Sequence, residues 1–80
     1  MHSKPVRYLV LIDAAGASIA RLFDDQLHQL NEIDGGSEEV AVMTRGLAPE
    51  HSAASADWAR ALRGHSAAER AAARVYTLDV

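Results

Sequence analysis

Three aspartates, Asp13, Asp57 and Asp79, are the residues whose type and placement could do chemistry. Asp13 closes the apolar run from Tyr8 to Ile12, Asp79 follows the segment Arg74 to Leu78, and Asp57 opens an alanine-rich stretch. If the two apolar segments are neighbouring strands running the same way, Asp13 and Asp79 meet at one sheet end. Asp57 would join them from a covering helix. Carboxylates so placed hold a pair of Mg²⁺ ions in metal-dependent nucleases and phosphotransferases, with Asp13 and Asp79 as the metal ligands here. The plainer reading makes Asp13 a turn residue and Asp57 a first-turn residue favoured by the helix dipole, with no cofactor.

Two further side chains are candidate binding residues. Arg21 stands mid-strand beside Ile19 and Phe23, where it could hold an anion or pair with Asp13 or Glu32 across strands. Trp58, the single tryptophan, is either an interface anchor or the plug of its helix, and the scarcity of bulky residues in the second half favours the plug. Histidines 2, 28, 51 and 65 show no metal-ligand spacing and read as exposed loop residues. The serines lack a nucleophile-elbow context, and Gly35-Gly36 lacks the flanks of a phosphate loop.

These residues must be positioned by a small framework. Eighty residues make a single domain, which buries only about 60–65% of its unfolded surface. Hydrophobic residues reach 49%, but alanine dilutes them, and this shortage of bulk argues for a homodimer. With a formal charge of -3 and Lys4 as the lone lysine, the electrostatic footprint of a duplex-binding protein is missing. Arg60, Arg63, Arg70 and Arg74 give a local basic bias that reads as a solvated face. No cysteine is present, so disulfides and thiolate metal sites are excluded. The apolar run after Tyr8 is too brief to span a bilayer. The expectation is a soluble, cytoplasmic protein.

Along the chain, residues 1–5 read as a disordered lead-in. Val6 to Phe23 forms a hairpin whose turn, Ala14-Ala15-Gly16-Ala17, relies on Gly16 for positive φ. Leu27 to Ile33 predicts a third strand ahead of the turn Asp34-Gly35-Gly36-Ser37. Glu39 to Thr44 alternates as a short strand or extended arm, and Arg45 to His51 is a loop. The period then changes. Ser52 or Ser55 caps a helix bearing Trp58, Ala61 and Leu62 and ended by Gly64. Ser66 and Glu69 match a capping box for a second helix to about Ala73, although one helix kinked at Gly64 is the alternative. Arg74 to Val80 closes the chain as a β-branched and aromatic strand.

The stretch Ile12-Asp13-Ala14-Ala15-Gly16-Ala17-Ser18-Ile19-Ala20-Arg21-Leu22-Phe23-Asp24 resembles the opening of the bacterial host attachment proteins, which are similar to the middle domain of peptide-chain release factors. In that family a first strand ends in Asp, a Gly-containing turn follows, and the second strand carries an Ala-Arg-Leu-Phe type sequence. Asp13, Gly16 and Ala20 to Phe23 occupy those positions. The resemblance spans roughly Tyr8 to Ile33 and implies a truncated ribonuclease H-like core. The Gly-Gly-Gln loop of release factors is absent, since Ser37 follows Gly36, so peptidyl-tRNA hydrolysis is not implied.

The expected fold is α+β: a three- or four-strand antiparallel meander with one or two helices on one face. A final central strand lies parallel to the first. The expected function is a non-catalytic binding or assembly module, a homodimer with room for another protein partner, without RNA or membrane binding. The alternative is the metal-dependent nuclease or phosphotransferase built on Asp13, Asp57 and Asp79.

Overall fold

A computed structural model of the chain describes residues 5–50, 53 and 55–78. The elements run β1 (Tyr8–Ala14), β2 (Ala17–Phe23), β3 (Gln29–Asp34), α1 (Glu38–Met43), α2 (Ala56–Ala61), α3 (Ala67–Ala72) and β4 (Arg74–Thr77). They form an α+β fold around one four-stranded sheet of order β3-β2-β1-β4, in which every pair is antiparallel. None of the described helices is long and apolar enough to cross a membrane.

The opening hairpin forms where expected. Ala15 (φ 53) and Gly16 (φ 79) make a two-residue turn with both central residues left-handed, the geometry whose twist matches that of the flanking strands. Tyr8 then pairs with Phe23, Val10 with Arg21 and Ile12 with Ile19, in continuous register. The third strand starts later than Leu27, because Leu27 takes φ 61 in the loop before it.

Alternation along β1 feeds two cores. Val10 and Ile12 join Phe23, Val75, Ala53, Trp58, Leu62 and Ala73 on the face that α2 and α3 cover. Leu9 and Leu11 join Ala20, Leu22, Tyr76, Leu78 and Val40 on the other. Each fully buried large side chain contributes about 1.5–3 kcal/mol, and Leu9, Val10, Ile12 and Phe23 are all wholly buried.

The structure corrects several expectations. Glu39 to Thr44 is not a strand or arm: Ser37 caps α1 by accepting the Val40 N–H, and Glu38 and Glu39 occupy its first turn. The apparent two-residue alternation of Val40 and Val42 gives way to a helical face on which Val40 is buried while Val42 is 54% exposed. The helices therefore cover both faces of the sheet instead of one.

The last strand is neither parallel to β1 nor central. It pairs antiparallel with β1, Thr77 opposite Tyr8 and Arg74 opposite Leu11, and it stands at the sheet's edge. A ribonuclease H-like core is not formed. The cause lies in the helical segment, which breaks at Gly64 (φ 102). Trp58 on α2 packs at the Tyr8 end of the sheet, and α3, held by its Ser66–Glu69 capping box, returns the chain to the Leu11 end. The two short helices, expected on either side of Gly64, thus carry the chain back to the Leu11 end, and β4 enters the sheet from there. Its apolar character is met by the cores above and below, and by Glu50, which exchanges backbone hydrogen bonds of 2.8 Å with Val75 on the outer side.

Candidate functional site

Asp13 and Asp57 are not brought together. Asp57 and Tyr8 line the same hollow, whereas Asp13 stands near the far end of β1, about 16 Å along a strand rising roughly 3.3 Å per residue. Asp13 also projects with Leu9 and Leu11, on the face opposite α2. Asp79 lies outside the described residues. Asp57 instead bonds Arg60 at 2.5 Å. No group of three or more His, Cys, Asp or Glu among the described residues could hold a metal ion.

Trp58 is 9% exposed and sits edge-on to both Tyr8 and Phe23, with ring centroids 5.6 and 5.2 Å away. It is the plug of the α2 face.

Arg21 pairs with Glu32 at 2.6 Å and also donates to Gln29 Oε1 (3.1 Å) and to Nε2 of His65 (3.1 Å). His65, expected in solvent, has a side chain only 9% exposed, and its Nδ1 lies 3.4 Å from Glu69 Oε1. The chain Glu32–Arg21–His65–Glu69 ties β3 and β2 to the start of α3. The Ser66 backbone N–H, and after it His65, hold the Glu69 carboxyl below the ordinary carboxylate range. Nε and Nη1 of Arg21 are thus engaged by partners within the fold. His28 is exposed, while His2 and His51 fall outside the described residues.

The loop from β2 to β3 is organised by Asp24, a buried carboxylate whose Oδ1 accepts the N–H groups of Gln26 and His28, each at 2.9 Å. This lets Leu27 hold its left-handed conformation and pack against the α2 face. Two adjoining hollows of about 520 Å³ flank Leu27, one reaching His28 and Arg60, the other Glu50, Trp58 and Thr77. Asp25 and Asp57 line both, and Arg60 pairs with Asp57 in the first.

The most open feature is the edge of β3. Gly35 donates to Ser18 O at 2.9 Å, and backbone bonds alternate along an antiparallel ladder. With Ile33 opposite Ala20 and Asn31 opposite Leu22, those residues bond β2, and the backbone groups of Glu32 and Asp34 point away from it. The Glu32 N–H is taken by Asn31 Oδ1 (2.8 Å) and the Asp34 carbonyl by the Ser37 N–H (3.1 Å). The Asp34 N–H and Glu32 carbonyl face outward. At the bulge opposite Leu22 and Phe23, Leu30 is one of two exposed large apolar side chains among the described residues.

Sequence reasoning passed over the charge around this edge. Asp24, Asp25, Glu32, Asp34, Glu38 and Glu39 fall between Leu22 and Thr44, a span without Lys or Arg. Counting sign along the chain, rather than its total, would have found it. No family model, curated protein or solved structure matches the chain.

Proposed function

We propose that the protein is a non-catalytic binding module that takes a polypeptide segment onto the open edge of β3. One observation carries this reading: the sheet's two edges are treated differently. At β4 the outward groups of Val75 are bonded by Glu50, whereas at β3 the Asp34 N–H and the Glu32 carbonyl face outward and no strand among the described residues pairs them. An exposed strand edge is a template for one more strand, with main-chain bonds supplying affinity and alternate side chains supplying selectivity. The enzyme reading is left with two described carboxylates, Asp13 and Asp57, that do not meet.

The test is a selection from a display library of random extended peptides, followed by the variant Glu32→Pro. Proline at Glu32 removes an N–H that bonds Asn31 Oδ1 and not β2, so the ladder survives while the ring obstructs an added strand. Selected peptides are expected to slow amide exchange at Asp34 and to lose binding to the variant. Peptides that bind elsewhere, or bind the variant equally well, would overturn the proposal.

A further inference from the structure

The β3 edge carries its own statement about what would lie against it, which rests on the edge-binding reading above. Glu32 opposes Arg21 and Asp34 opposes Ile19, so both carboxylates project on the α2 and α3 face, two positions apart. Between them Ile33 turns to the other face, against the α1 core. Asp25, Asp34, Glu38 and Glu39 are exposed and enter no ion pair among the described residues. Glu32 is paired with Arg21, so Asp34 is the carboxylate beside the outward backbone groups that enters no ion pair among the described residues, and the span from Leu22 to Thr44 holds no Lys or Arg.

Cross-strand neighbours on one face sit about 5 Å apart, where opposite charges attract and like charges repel. A second copy paired edge to edge about a two-fold axis would crowd Glu32 and Asp34 of both chains onto one face. The observed charge therefore disfavours self-pairing at this edge. An added strand with cations at alternate positions would instead set each beside Glu32 or Asp34, and its intervening residues beside Ile33.

We infer that the β3 edge receives an extended basic segment of another protein, with Lys or Arg at every second residue and apolar or β-branched residues between. Electrostatic attraction of this kind speeds encounter and selects among partners, and it weakens as salt shortens the screening length to about 10 Å near 0.1 M.

The experiment titrates the isotope-labelled whole chain by NMR with blocked peptides of about seven residues, the length of an ordinary strand. The probes are alternating lysine–valine, threonine–valine and glutamate–valine, plus lysine–valine N-methylated at alternate residues. Lysine–valine is expected to move the Glu32 and Asp34 amides. It should bind at least about tenfold more tightly than threonine–valine, a gap of roughly 1.4 kcal/mol, and weaken with added salt. Asp34→Asn, whose Oδ1 can still accept the Gly36 N–H bonded at 2.9 Å in the native chain, should weaken lysine–valine binding several-fold at unchanged melting temperature.

Equal binding of threonine–valine or glutamate–valine at β3 would overturn the basic partner and leave the edge reading standing. Absence of any peptide at the β3 amides would overturn both. Equal binding of the N-methylated peptide would show charge adhesion in place of strand addition and overturn the inference. Shifts of the same amides with protein concentration alone would assign the edge to a second copy and overturn it too.

Discussion

Arg21 donates from Nε to Nε2 of His65 at 3.1 Å, so that ring nitrogen presents a lone pair and the opposite nitrogen, Nδ1, faces Glu69. One imidazole thereby joins the sheet to the first turn of α3. Replacing it with an apolar residue of similar size, His65→Leu, leaves the half-buried guanidinium short of an acceptor. A loss of about 1 kcal/mol is expected in urea unfolding. His65→Gln, which offers an amide oxygen, should lose less. Equal losses would show that packing alone is at stake.

Glu69 sets an acid limit on the same junction. Its carboxyl is held below the ordinary value of 4.5, first by the Ser66 N–H. A group whose folded pKa is depressed contributes stability that is present above the unfolded value and is lost as pH falls through the folded one. Stability should therefore decline as the pH drops below about 4.5, and Glu69→Gln should flatten that part of the profile. An unchanged acid limb in the variant would count against the capping box as its source.

Gly35 gives a steric test of how the β3 turn docks. A Cβ there would meet Ser18 Oγ at 2.4 Å and Leu11 Cδ1 at 2.7 Å, whereas at Gly36 the nearest atom is Asp34 Oδ1 at 3.6 Å. Gly35→Ala is expected to cost about 2 kcal/mol or more through forced displacement. Gly36→Ala should stay within about 0.5 kcal/mol. Thermal melts of the two variants make the comparison, and equal values would contradict the packing of this turn on β1 and β2.

The hairpin turn leaves room for improvement. Ala15 takes φ 53, a conformation that costs an L-residue with a Cβ roughly 1 kcal/mol and that Asn adopts more readily. Ala15→Asn should raise stability by about 0.5–1 kcal/mol. A decrease would mean that the turn is not the left-handed pair described.

Much of the framework was legible in the residues. Strong local signals fixed it: the apolar run at Tyr8 to Ile12, the turn at Ala15-Gly16, Ser66 with Glu69, and the β-branched segment after Arg74. The reading failed where two local signals competed. Val40 and Val42 suggested a strand, yet Ser37 followed by Glu38 and Glu39 was the stronger helix start. Direction was harder still, because a strand's apolar character says nothing about which way it runs. The aspartate cluster depended on that direction; Asp13 and Asp57 stand apart, and Asp79 lies outside the described residues. The Arg21 pairing with Glu32 was open to reading because the alternation of two adjacent strands brings them opposite, while His65 was hidden by its distance in sequence.

Amide hydrogen exchange of the free protein shows whether β3 is an unpaired edge. With β3 as an unpaired edge in the register given, the Ile33 N–H should be protected and the Asp34 N–H should exchange orders of magnitude faster, at a rate near that of the exposed turns. Protection of Asp34 equal to that of Ile33, in dilute protein without a partner, would contradict it.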